Sequence, residues 1–452
     1  MDERVIEDEK VLKKLLEEKN YSALRSAMAD MQAQDVAAIM DDMEDEDSLK
    51  MFRILPKDMA VDVFANLELD DQQYIIQSLS DREASNIIDN LMADDATDLL
   101  EEMPANIVDR LLKHASPDTR RYINKLLKYP DGSAGSLMTV EYVDLKEAMT
   151  VQQAISRIRD IGMDSETVNI CYVLGEQRTL VGTVMLRSLV INSPDKLVGD
   201  IMDDNVISIG TLTDQEDAAK MFQKYDLTAM PVVDNENRMV GIITIDDVVD
   251  IMQEEVTEDI EKMAAIVPSG DVPYFKVSVW TTFKKRIPWL LILMVSATIT
   301  GAIITKYENA LAAYVVLTSY IPMIMDTGGN AGSQASVSII RAISLGEVAF
   351  KDIFKALWKE MRVGVLCGVA LAACNFVKMI LLDRVTVIIA AVVCITLVFD
   401  IFLSKVIGCS LPLLAKKIGF DPAVMASPLI TTIIDATSLS IYFAVATQLL
   451  GL

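Results

Sequence analysis

The sequence predicts a multidomain chain: an α-helical superhelical amino-terminal domain, a tandem α/β module, and a five-helix α-helical transmembrane domain. Three observations carry this reading. An apolar position recurs every 12 residues in the first third, two β-rich copies align in the middle, and five long apolar segments fill the end. Charge divides the chain in the same way. Residues 1–275 hold 57 acidic against 26 basic side chains, net −31, whereas residues 276–452 hold 9 against 15, net +6, within an overall −25. An acidic, soluble front argues against nucleic acid and anionic lipid as its partners and suits cations or plain solvation.

Residues 1–130 form the helical-repeat domain. Leu55, Leu67, Leu79, Leu91 and Met103 stand 12 residues apart, each closing a unit that opens on a polar turn and continues as a short amphipathic helix. Such units cannot bury an apolar face alone, so they stack. Pro130, Gly132 and Gly135 punctuate the end of this domain.

Residues 136–252 read as two copies, 136–195 and 196–252. "TLVGTVMLRSLV" at 179–190 aligns with "RMVGIITIDDVV" at 238–249, and each copy runs helix, β-rich segment ("VNICYVL", "AMPVVDN"), strand, helix. From Asp246 a long acidic helix leads toward the membrane, giving a connecting segment over 246–275.

Residues 276–452 hold five apolar segments, at about 287–305, 310–326, 361–382, 385–414 and 423–450. The fourth is long enough for a bend or an interfacial end. Lys284, Lys285 and Arg286 precede the first, the 341–362 loop carries Arg341, Lys351, Lys355, Lys359 and Arg362, and Lys416 with Lys417 precede the fifth. By the positive-inside rule this places the amino terminus in the cytoplasm and the carboxyl terminus outside. The start "MDERVIEDEK" lacks the pattern of a signal peptide. Five single cysteines and the lone His114 give neither a disulfide framework nor a zinc site, and no nucleophile–base set, P-loop or dinucleotide fingerprint occurs. An enzyme is not expected.

Asp435 is the most informative residue, because an aspartate at the centre of a spanning helix costs about 2.5–3.5 kcal/mol on insertion scales. Pro428, Thr431, Thr432, Asp435, Ser438 and Tyr442 recur at helical spacing on one stripe. The stripe reads as the wall of an ion path; the alternative is a structural pair of Asp435 with Lys405, for which Asp400 competes. Asp421 before Pro422 has N-cap chemistry and also lies fourteen residues before Asp435, about 21 Å along an α-helix, where it would receive a cation at the mouth. In "YIPMIMDTGGNAGSQAS", Pro322 and Gly328–Gly329 read either as a helix interruption that frees backbone carbonyls or as close helix packing. Asn330 and Gln334 add neutral oxygens. An all-oxygen set without soft ligands suits a hard, hydrated cation such as Mg²⁺. In the soluble half, Asp94 with Asp98 and Asp247 with Asp250 stand one turn apart, and like charges so close repel unless a cation intervenes.

The tandem module resembles a pair of cystathionine-β-synthase-type (CBS) domains. With the 12-residue repeat, the acidic helix, "PMIMDTGGNAGSQ" and "FDPAVMASPLITTIID", the whole chain resembles the MgtE family of magnesium channels/transporters. That resemblance implies a multi-pass protein of the cell membrane, a homodimer around one Mg²⁺ pore with Asp435 holding hydrated Mg²⁺, and a plug helix at 246–266 over the cytoplasmic mouth. It implies closure when cytosolic Mg²⁺ binds Asp94, Asp98, Asp214, Glu216, Asp226, Asp247, Asp250, Glu255, Glu258 and Asp259. ATP is a regulator of some members, and Thr244 with Asp247 has the spacing that CBS domains use on ribose. Competing readings are a broader Mn²⁺/Co²⁺ conduit and a membrane-anchored nucleotide sensor.

Overall fold

The computed structural model describes residues 3–268, 274–425 and 427–451, and the chain divides into two compact units, residues 1–252 and 253–452. Ten helices, from Glu3–Glu17 to Pro117–Leu126, begin the first unit, and nine of them are only 8–10 residues long. Helices of two to three turns do not persist alone in water, so stacking must supply their stability. The 12-residue positions do this: Leu55, Leu67, Leu79, Leu91 and Met103 are all buried in one core. The period runs further than the sequence reading took it, with Ala115 buried and Met31 and Met43 packed against the same core. Turns between units are fixed by caps, such as the reciprocal Ser80–Glu83 capping box. Helix α1 (Ala93–Glu101) buries Ala96, Leu99 and Leu100, and it carries Asp94, Asp95 and Asp98.

The α/β part holds two three-stranded sheets of the same design. In one, β1 (Tyr142–Leu145) pairs in parallel with β2 (Thr167–Leu174), which pairs antiparallel with β3 (Leu180–Met185). The other repeats this with β4 (Ile209–Gly210), β5 (Ala229–Val233) and β6 (Met239–Thr244). The aligned glycines occupy the same rung: Gly182 faces Val173 and Gly241 faces Val232. Helix α2 (Gln215–Tyr225) precedes β5, and α3 (Ile245–Met263) leaves β6 directly. Residues 269–273 of the expected connecting segment lie outside the described residues.

The second unit contains α4 (Val279–Lys306), α5 (Ile321–Ser344), α6 (Ile353–Leu381), α7 (Val387–Lys417) and α8 (Ser427–Leu450). Among the described residues four helices are long and apolar enough to cross a membrane, those centred on α4, α6, α7 and α8. The 24-residue α5 spans about 36 Å but is more polar.

Here the structure corrects two expectations. The second segment does not span at 310–326, where a short helix (Glu308–Ala313) and a 3-10 stretch (Val315–Tyr320) lead into α5. Nor do Pro322 and Gly328–Gly329 interrupt it. Pro322 sits in the first turn, where its missing N–H is not needed, and α5 runs unbroken through the glycines. Their role is close approach: Gly328 lies against Asp400, Gly329 against Thr431, and Gly332 against Gly408 and Ile434. Helix α7 is the central strut, packed on α5, α6 and α8 and buried over much of its length, and it continues through Pro412.

Candidate functional site

Between α5 and α8 lies a cavity of about 450 Å³, lined by Ile321, Pro322, Met325, Asp326, Gly329, Asn330, Thr431 and Asp435. Its polar lining is made of oxygens and one amide. At about 30 Å³ per water, a divalent cation with six waters needs roughly 200 Å³, so the volume accommodates a hydrated ion. Helix α5 brings Asn330 and α8 brings Thr431 and Asp435, so three of the expected pore residues share one cavity. Thr431 and Thr432 both donate to the Pro428 carbonyl, at 3.0 and 2.9 Å, and Thr432 is not part of the lining. Tyr442 donates to the Leu317 carbonyl at 2.9 Å and is structural.

Asp326 was missed. It stands within the quoted glycine motif and is a second membrane carboxylate on the same cavity; the rarity of ionisable residues in spanning helices was the signal. The alternative pairing of Asp435 with Lys405 is not made. The Lys405 ammonium donates to Gln334 at 3.2 Å, and Asp400 accepts from Ser438.

Asp421 does not continue α8 backward. It precedes a 3-10 turn, Pro422–Met425, so the fourteen-residue spacing is not four α-helical turns. Its Oδ1 caps that turn by accepting from the Ala423 N–H at 2.8 Å. Its Oδ2 accepts from Lys262 of α3 at 2.7 Å, and the same ammonium pairs with Glu258 at 2.7 Å. Burial works against the charge on Lys262, but the bonds from Asp421 and Glu258 outweigh it and raise the pKa. Lys262 was also missed: a single lysine in a row of carboxylates pairs with Glu258 one turn away and with Asp421 in the membrane unit.

The acidic residues of the first unit fall into two groups. Asp214 and Glu216 stand at the start of α2, where Asp214 accepts from the Glu216 N–H at 2.9 Å and Glu216 pairs with Lys220 at 2.8 Å. Asp226 closes the other end of α2 in the left-handed region, φ +52°. Eleven residues of helix separate these ends by about 17 Å, so a single chain does not unite them.

The second group is crowded. Asp94, Asp95 and Asp98 of α1 lie near Asp247 of α3 and Glu166. Asp247 accepts from the Thr244 hydroxyl at 2.9 Å, which is N-cap chemistry at the start of α3. Desolvation, then neighbouring carboxylates, push Asp95 up to about 6, and Asp98 and Glu166 up to about 7. Desolvation likewise raises Asp247 to about 6 and Asp94 well above the carboxylate range. Glu141 joins them: its Oε2 accepts from the Val140 N–H at 3.0 Å and the Ala93 N–H at 3.4 Å. Asp95, Glu141 and Glu166 were not singled out from sequence, since they come from three separate stretches that only the fold gathers. Among the described residues, no three His, Cys, Asp or Glu side chains converge closely enough to hold a metal ion.

A pH prediction arises here. These carboxyls hold protons in the folded state at pH values where the unfolded chain, with ordinary pKa values near 4, has released them. Stability from this cluster is therefore full below about pH 4 and is lost as pH rises through 6–7. Without divalent cations, the first unit is expected to melt several degrees lower at pH 8 than at pH 5. Added Mg²⁺ should recover the difference at pH 8 and do little at pH 5. Thermal melts of the purified protein with and without chelator check this, and a pH-independent Mg²⁺ effect would contradict it.

Comparison with known proteins bears on all three regions. The family profile "Divalent cation transporter" matches residues 321–445, "MgtE intracellular N domain" matches 8–132, and "CBS domain" matches 198–254. The magnesium transporter MgtE of Thermus thermophilus is 37% identical over 448 residues, covering 97% of this chain and 98% of that one. The MgtE of Bacillus subtilis is 31% identical, covering 96% and 95%. A crystal structure of the cytosolic domain of the Mg²⁺ channel MgtE in complex with ATP matches with TM-score 0.51 and 36% identity, over 53% of this chain and 98% of that one. The soluble part of a magnesium transporter matches with TM-score 0.52 and 27% identity, over 56% and 99%. With relatives above 30% identity along nearly its full length, this chain belongs to the MgtE family of magnesium transporters.

Proposed function

We propose that this chain is a Mg²⁺-selective channel for uptake across the plasma membrane, closed from the cytosol by Mg²⁺ itself. The observation that carries the reading is the oxygen-lined cavity between α5 and α8, with Asp435, Asn330 and Thr431 on its wall, in a chain whose relatives are named magnesium transporters. Hydrated Mg²⁺ occupies it through outer-sphere contacts, with the Asp435 carboxylate as the main counter-charge and Asp326 beside it. Inward flow needs no fuel, because a divalent ion gains about 4.6 kcal/mol on crossing 100 mV. The amino terminus lies in the cytoplasm and the carboxyl terminus outside. The working unit in this reading is a homodimer.

Closure is electrostatic. The carboxylates at Asp94, Asp98, Asp247 and Asp250, with Glu255, Glu258 and Asp259 further along α3, repel when bare and are bridged by Mg²⁺, and Asp214, Glu216 and Asp226 contribute from α2. Bridging holds α3 in its closed setting. ATP is a second regulator in this proposal, with Thr244 and Asp247 at the nucleotide. A relative's cytosolic domain was crystallised with it, and Thr244 already bonds Asp247.

The mouth offers a test. Asp421→Asn keeps an acceptor for the Ala423 N–H but removes the charge, and Lys262→Gln frees that charge. A half-buried pair of about 1 kcal/mol corresponds to roughly a fivefold change. Asp421→Asn is expected to lower Mg²⁺ flux by a few-fold with a fall of only about 2–4 °C in melting temperature, and Lys262→Gln to raise flux at low cytosolic Mg²⁺. Wild-type flux in both would leave Asp421 as a cap alone. Flux of Mg²⁺ against Mn²⁺ and Co²⁺ in proteoliposomes separates a selective channel from a broad conduit; no flux at all would favour the anchored nucleotide sensor.

A further inference from the structure

Asp400 stands on α7 inside the membrane unit, 1% exposed, and none of the roles above uses it. Its Oδ1 accepts the hydroxyl of Ser438 on α8. Its Oδ2 is buried, as is the Ser404 hydroxyl one turn along α7. Lys405, the nearest ammonium in sequence, is engaged by Gln334 of α5 at 3.2 Å. The carboxylate presses on Gly328 of α5: a methyl group there would stand 2.5 Å from Oδ2 and 2.7 Å from Oδ1. The contact leaves no space for an ion between Asp400 and Gly328.

Its two contacts lie next to residues of the two cavity walls. Gly328 adjoins Gly329, which lines the cavity, and lies two residues before Asn330. Ser438 lies three residues after Asp435, on nearly the same side of α8. Each residue turns a helix by about 100°, so a slip of one residue in α8 would break the Ser438 bond and carry Asp435 off the cavity.

We infer that Asp400 is a positioning residue for ion recognition: through Ser438 and Gly328 it sets the rotation of α8 and its spacing from α5, so that Asp435 and Asn330 face one cavity. The inference rests on that cavity being the ion path. A carboxylate is costly at this depth, and its position fits a rotational pin better than a general adhesive, since both contacts fall within three residues of a lining side chain.

The experiment is Mg²⁺ flux against concentration in proteoliposomes of the full chain, with Ca²⁺ and Mn²⁺ run in parallel. Asp400→Asn keeps the acceptor and the shape, so half-saturation and ion preference should stay within about twofold of the parent. Asp400→Ala, Ser438→Ala and Gly328→Ala attack the same pin from three sides. Each is expected to raise the half-saturating Mg²⁺ concentration about tenfold and blur ion preference, with a smaller change in maximal flux. The Asp400→Ala/Ser438→Ala double variant should be no worse than Asp400→Ala alone, because the bond that Ser438→Ala deletes is already gone. If Asp400→Ala does not fold, Ser438→Ala and Gly328→Ala carry the test. Parental half-saturation and preference in the alanine variants would overturn the inference, as would an Asp400→Asn variant as impaired as Asp400→Ala, because charge would then be the active property. Unaltered flux in Asp435→Asn would instead overturn the ion-path reading, so the two failures are distinguishable.

Discussion

Replacing Asp435 with alanine is expected to cut Mg²⁺ flux in proteoliposomes by about 10–100-fold while the protein still inserts and elutes as the parent does. The magnitude follows from removing one charge-assisted interaction, about 1.5–3 kcal/mol, at the rate of roughly tenfold per 1.4 kcal/mol. Asp435 shares its cavity with Asn330, Thr431 and Asp326, and none of these replaces its charge from the same position. Asp435→Asn retains shape and hydrogen-bonding oxygen but loses the counter-charge, so it should conduct poorly and discriminate less between divalent and monovalent cations. Asp326→Asn is expected to weaken flux less, since Asp435 remains. Parental flux and selectivity in both Asp435 variants would place the ion path elsewhere.

Neutralising Asp247, Asp250, Glu255, Glu258 and Asp259 together is expected to abolish most of the inhibition by cytosolic Mg²⁺. A ligand closes a pore only by its differential affinity for the closed state, and moving a population from 99:1 open to 1:99 takes about 5.5 kcal/mol. No single carboxylate supplies that, which is why the row must be removed as a set. The variant frees Lys262 from Glu258 but leaves its bond to Asp421, so the Mg²⁺ response is expected to be lost with that pair intact. Limited proteolysis across the 246–275 region measures it: Mg²⁺-dependent protection should vanish. Protection at the same Mg²⁺ concentrations as the parent would move the sensor off α3.

The architecture was legible because each part carries its own period. A 12-residue spacing buried Leu55 through Met103 in one core, and duplicated strands put Gly182 and Gly241 on equivalent rungs. Asp435 and Asn330 were legible as cavity residues because polar groups in apolar helices have few other reasons to be there. The path of α5 was not. Gly328–Gly329 has the composition of a break, and only the facing Asp400 and Thr431 make it a packing surface. Helix propensity describes a glycine by itself, whereas its function here is defined by what approaches it. For the same reason Lys262 escaped notice: its partner Asp421 is 159 residues away. The acidic cluster was half seen, because Asp94 and Asp98 are neighbours in sequence while Glu141 and Glu166 reach them only through the fold.

The most direct measurement is Mg²⁺ entry into proteoliposomes containing the purified full-length chain, with Mg²⁺ titrated on the face that bears the soluble unit. A membrane potential alone should drive Mg²⁺ entry, without ATP hydrolysis, and entry should fall steeply as Mg²⁺ rises on the soluble-unit face. Entry that is absent, or that proceeds at the same rate at every Mg²⁺ concentration on that face, would contradict a Mg²⁺ path closed by Mg²⁺.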